Sequence, residues 1–86
     1  MASFLEQVGA RLRQQRELKG YTGNEVAVIC KISVSMLFLV ERGAHKPPFS
    51  FYEDVCRAIG VTMEDVLAGF KWTYIPPTQG KGDKAA

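Results

Sequence analysis

The sequence predicts an all-α domain of five short helices, and three observations carry that prediction. From Phe4 to Leu67 apolar residues recur at helical spacing, hydroxyl residues stand where helix N-caps are needed, and glycines stand where helices must stop. The 86 residues, 47% hydrophobic and 23% charged, are enough for one core and too few for a second.

Phe4, Leu5, Val8, Leu12 and Leu18 predict an amphipathic first helix over about residues 3–19, with Arg11, Arg13, Gln14, Gln15 and Glu17 on its other faces and Gly20 as its stop. Thr22 is placed to cap a second helix, and Glu25 completes a capping box; this helix ends near Cys30. After the brief connection Lys31–Ile32, Ser33 caps a third helix that runs to about Glu41 or Arg42 and is terminated by Gly43. Ala44 to Pro48 reads as a loop, because two successive prolines remove amide donors and hold the chain extended. A fourth helix starts near Ser50, buries Tyr52, Val55, Cys56 and Ile59, and ends at Gly60. Thr62 caps a fifth helix carrying Met63, Val66 and Leu67, closed by Gly69.

From Phe70 the period changes. Phe70, Trp72 and Tyr74 alternate with Lys71, Thr73 and Ile75, the pattern of a short strand with one aromatic face, which Pro76 and Pro77 end. The polar stretch 78–86, with Gly80 and Gly82, is expected to be disordered. The organisation expected is therefore a helical domain at 1–69, an aromatic segment at 70–77 and a tail at 78–86.

Composition narrows function by exclusion. A net charge of +2 permits nucleic-acid binding without demanding it. Cys30 and Cys56 lack the dense spacing of a disulfide scaffold, and with His45 the single histidine there is no zinc constellation and no nucleophile–base–orienter set; neither an enzyme nor a cofactor is expected. The longest apolar stretch, Ile32 to Val40, is too short to span a bilayer, and Glu6, Arg11 and Arg13 precede any apolar run, unlike a secretory signal. A soluble cytoplasmic protein is expected.

The order helix, short helix, tight turn, short helix, loop, helix, helix is suited to placing one exposed helix in a DNA major groove. From Val8 to Leu67 the chain resembles the helix-turn-helix domain of phage repressor and Cro-type regulators, also called the xenobiotic-response-element family. The resemblance rests on Arg11, Leu12, Arg13 and Arg16 in the first helix and Gly20, Tyr21 and Thr22 at its exit. It continues with Glu25, Val26 and Ala27 in the second helix, Ile32 and Ser33 at the turn, Val40, Glu41, Arg42 and Gly43 at the end of the third helix, then Lys46, Pro47 and Ala58 to Val61. It implies a lambda-repressor-like fold, an operator of double-stranded DNA as partner, and an internal ion pair between Arg16 and Glu41. The alternative for that pair is two surface charges.

By position, Val34, Ser35, Phe38 and Leu39 match the family's base-contacting sites, where polar residues are usual; here Ser35 alone has a hydrogen-bonding side chain. Gly23 stands where the family commonly has a glutamine that touches phosphate, leaving only a backbone amide to donate. Thr22, Asn24, Ser33, Arg42, His45 and Lys46 are the other contact candidates, with Arg11 and Arg13 further back. Three readings compete for the apolar residues Val34, Met36, Phe38 and Leu39: contact with thymine methyls, burial against a protein partner, or coverage by the segment from Phe70 to Ile75. Phe70, Trp72, Tyr74 and Ile75 are the expected dimerisation residues, since two such strands can pair antiparallel across a two-fold axis. The function expected is a dimeric repressor or autoregulator of a phage, plasmid or mobile element. The alternative is a helix-turn-helix protein repurposed as an antiactivator or anti-repressor that grips a regulator through its third helix.

Overall fold

Four helices begin at a hydroxyl that accepts a hydrogen bond from the amide three residues on: Ser3 from Glu6, Thr22 from Glu25, Ser33 from Met36 and Thr62 from Asp65. At Ser3, Thr22 and Thr62 the carboxylate of that third residue returns the bond to the cap amide, closing a capping box. The computed structural model describes residues 2–68, and these form α1 (Phe4–Leu18), α2 (Gly23–Cys30), α3 (Val34–Glu41), α4 (Phe49–Ile59) and α5 (Met63–Leu67), with no strand among them. The aromatic segment 70–77, the tail 78–86 and the closing glycine at 69 lie outside the described residues.

The fourth helix starts at Phe49, one residue earlier than its serine suggests. Its N-cap is Pro48, whose φ of −63° already suits the entry, so no side-chain cap is made and Ser50 falls inside the first turn. At the other end of α1, Gly20 takes φ +83°; the Gly20 amide donates to the Glu17 carbonyl and the Tyr21 amide to the Arg16 carbonyl, which turns the chain directly into α2. Lys31, in the turn between α2 and α3, is the one described residue other than glycine with positive φ, at 58°. This left-handed conformation costs a residue that carries a Cβ about 1–2 kcal/mol. Through this turn α2 and α3 are bent 115° from one another.

α1 packs against α3, α4 and α5, and α2 packs against α3 and α4. Val8, Leu12, Val26, Leu37, Val40, Val55 and Val66 are fully buried, and Ala27, Tyr52, Cys56, Ile59 and Val61 complete the core. Gly9 lets α1 and α3 approach closely: a Cβ there would run into the carbonyl oxygens of Val40 and Glu41. Of the expected α1 stripe Val8 and Leu12 are buried and Leu5 is half-buried, while Phe4 at 52% and Leu18 at 72% are exposed. Val8, Leu12 and Arg16 define the inward line, four residues apart; Leu18 falls off it, and Phe4 precedes the stretch that other helices cover.

Arg16 is buried at the end of that line. Its Nε donates to Glu41 Oε2 at 2.7 Å, its Nη2 to Glu41 Oε1 at 3.0 Å and its Nη1 to the Tyr21 carbonyl at 2.9 Å, so one guanidinium joins α1, the loop into α2, and α3. The Glu41 carboxylate raises the Arg16 pKa above its ordinary value, chiefly through these hydrogen bonds.

Glu41→Ala strands the Arg16 guanidinium in the interior, a loss of about 3–5 kcal/mol. The thermal midpoint followed by circular dichroism is expected to fall by more than about 10 °C; an unchanged midpoint would mean the two charges are solvated. Cys56 yields a second expectation. Burial, with smaller contributions from Asp65 and Glu53, pushes its thiol from 9.0 up to about 11. The folded chain therefore holds this proton more tightly than the unfolded one, so stability is complete below the unfolded value of 9.0 and falls as pH rises toward about 11. Cys56→Ala is expected to show a shallower loss of urea midpoint across that window than the unaltered chain, and equal slopes would refute the linkage.

Candidate nucleic-acid interface

The third helix has two distinct sides. Leu37, Val40 and Glu41 are buried, and Met36 is half-buried against the core. Ser35, Phe38 and Arg42, spaced i, i+3 and i+7, stand exposed on the opposite side, flanked by half-buried Val34 and Leu39. The apolar outer surface expected on this helix is thus smaller than its composition suggests: Met36 points to the core, and of Val34, Met36, Phe38 and Leu39 only Phe38, at 39%, is exposed.

The beginning of α2 meets this stripe. Gly23, its first residue, is buried, and the Phe38 ring lies over it so closely that a Cβ at Gly23 would fall 2.6 Å from Phe38 Cζ. Gly23 is therefore a packing position rather than an open surface amide. Thr22 and Asn24 beside it are exposed, although the Thr22 hydroxyl already accepts from the Glu25 amide at 3.1 Å and the Ser33 hydroxyl from the Met36 amide at 3.0 Å. Both hydroxyl protons remain available as donors. Between α1, the start of α2 and the end of α3 lies an open cleft of about 650 Å³, lined by Arg13, Thr22, Gly23, Phe38 and Arg42 and floored by the Arg16–Glu41 pair. His45 and Lys46 are exposed in the loop after α3, with Pro47 buried behind them.

The first-helix arginines are otherwise engaged. Arg11 Nε donates to the Val66 carbonyl at 2.9 Å, and the same guanidinium bonds the Ala68 carbonyl and Gln14, so it caps the C-terminus of α5 instead of offering a free phosphate contact. Arg13 pairs with Glu17 at 3.1 Å, one helical turn away and largely in water. Phe70, Trp72, Tyr74 and Ile75 lie outside the described residues.

A second apolar surface, on α2, was not anticipated. Val28 and Ile29 are 77% and 52% exposed and border a shallow cleft with Tyr21, Asn24 and Glu25. The signal was present in the sequence: Val26 and Ala27 face inward, so the next two residues must turn away from the core. Among the described residues no group of three or more His, Cys, Asp or Glu side chains is placed to hold a metal ion, and no single helix is long and apolar enough to cross a membrane.

Two short helices at 115° joined by a tight turn, the second with one side in the core and one side clear of it, define a helix-turn-helix domain. A family model described as a helix-turn-helix domain matches residues 7–68, and the chain belongs to that family of DNA-binding transcriptional regulators. It is 34% identical over 58 residues to the HTH-type transcriptional regulator YazB of Bacillus subtilis, a match covering 67% of this chain and 84% of that one. Among solved structures it is similar to the crystal structure of the clp gene regulator ClgR from Corynebacterium glutamicum, with a TM-score of 0.75 and 34% identity, covering 78% of this chain and 86% of the other. The restriction-modification controller protein C.AhdI from Aeromonas hydrophila shares the fold, with a TM-score of 0.68 at 24% identity over 72% of this chain and 94% of its own. The architecture is accordingly all-α and lambda-repressor-like.

Proposed function

We propose that the protein is a cytoplasmic, sequence-specific regulator of transcription that lays α3 in the major groove of an operator as a dimer and represses by occupying the site, in the manner of phage and plasmid repressors. The observation that carries this reading is the exposed line Ser35, Phe38 and Arg42, which stands clear of the core beside the N-terminus of α2. In this orientation the start of α2, with Thr22 and Asn24, faces the sugar-phosphate backbone, where amides at a helix N-terminus favour anions. Arg42, His45 and Lys46 extend the same contact beyond the end of α3. Relatives named as transcriptional regulators support the reading. A second reading, a protein-binding helix-turn-helix domain, is favoured by the exposed Phe38 ring and by the poverty of hydrogen-bonding side chains around it.

Salt separates the two, since neutralising phosphates makes affinity fall steeply with ionic strength and apolar contacts do not. Selection of duplexes from a randomised library with the full-length protein is expected to enrich one sequence, bound with a steep salt dependence. Arg42→Ala is expected to weaken all duplexes alike and lower the salt slope by about one. Failure to enrich any sequence, with salt-independent capture of a protein instead, would favour the second reading. For a dimer held by the segment from Phe70, deletion of residues 70–86 is expected to reduce the mass in solution to that of one chain; a truncated protein that stays dimeric at the same concentration would remove that segment from the interface.

A further inference from the structure

Phe38 and Gly23 form a unit that neither residue makes alone. The Cε1–Cζ edge of the ring rests on the Gly23 backbone so closely that any side chain at position 23 would displace it. The ring is thereby in contact with the start of α2 on one side, while Phe38 as a residue is 39% exposed and lines the same cleft as Thr22, Gly23 and Arg42. Its neighbours along the outer face are Ser35, one hydroxyl, and the half-buried apolar Val34 and Leu39. Base edges in the major groove present donors, acceptors and a single apolar feature, the 5-methyl group of a pyrimidine. A partly exposed ring resting on Gly23 among apolar neighbours matches that feature and none of the others.

We propose that Phe38, held by Gly23, is the specificity-determining residue of this protein and that its ligand is a pyrimidine 5-methyl group, of thymine or of 5-methylcytosine. The assignment rests on the reading that α3 enters the major groove. Glycine at position 23 then serves recognition: it is the vacancy into which the reading ring is set. Apolar contact discriminates through desolvation of one methyl, so the expected effect is about fourfold per contacted base, corresponding to about 0.8 kcal/mol for one buried carbon.

The test uses the full-length protein and the duplex enriched from the randomised library, with each thymine replaced singly by deoxyuridine. Replacement at one position in each half-site is expected to weaken binding about fourfold, and Phe38→Ala is expected to bind the thymine and deoxyuridine duplexes equally. Gly23→Ala leaves the phenyl group in the chain but displaces it, so it too is expected to lose the discrimination, with circular dichroism confirming that each variant is folded. Arg42→Ala serves as the contrast, weakening both duplexes and preserving their ratio. At the sensitive position, tighter binding of 5-methylcytosine than of cytosine extends the ligand to both methylated bases, whereas no difference assigns it to thymine. Deoxyuridine tolerated at every position, or discrimination retained in folded Phe38→Ala, overturns the proposal while leaving the regulator reading intact. A library that yields no enriched duplex overturns the regulator reading itself.

Discussion

The buried Arg16 guanidinium is the joint on which the arrangement of the first three helices depends. From α1 it directs its donors to two other elements at once, both oxygens of Glu41 at the end of α3 and the Tyr21 carbonyl just before α2. Such a pair adds little net stability over apolar residues of the same volume, because both charges give up their hydration. Its contribution is directional: two parallel hydrogen bonds from a planar fork admit one orientation of Glu41, and hence one rotation of α3 about its axis. That rotation puts Ser35, Phe38 and Arg42 outside and Leu37 and Val40 inside.

The remaining contacts reinforce that geometry from two directions. On the core side, the fully buried valines and leucines of α1, α3, α4 and α5 close the interior, and Cys56 donates to the Met63 sulfur at 3.5 Å where α4 meets α5. On the outside, the Arg11 guanidinium ties the end of α5 back to α1, so the shortest helix is secured by charge-assisted bonds to its last carbonyls rather than by its own length.

Features that depend on near neighbours in the chain were legible in the sequence. The caps Thr22, Ser33 and Thr62 and the stops Gly20, Gly43 and Gly60 each act on residues three or four positions away, so the starts of α2, α3 and α5 and the ends of α1, α3 and α4 could be read almost to the residue. Pro48 misled only because a proline can enter a helix without a hydroxyl cap. Periodicity gave the phase of α1 but not the extent of its neighbours, which is why Phe4 and Leu18 counted as core and are exposed. The capture of α5 by Arg11, the seat of Phe38 on Gly23 and the contact at Gly9 join residues far apart in the chain. No local pattern announces them, and a glycine inside a helix reads as a weak helix former rather than as a point of contact.

The contact at Gly9 bears on the thermodynamics of recognition. With α1 pressed against the carbonyls of Val40 and Glu41, α1 and α3 sit in close backbone contact, with no room for a side chain between them. A binding surface already ordered gives up little conformational entropy on association, and so needs less contact area to reach a given affinity. Such close packing favours adjustment on the other side of any interface that α3 makes. Under the proposed docking of α3 in a major groove, a closely packed helix would shift deformation onto the groove, and the sequence-dependent stiffness of the DNA would then contribute to selectivity at base pairs that no side chain touches.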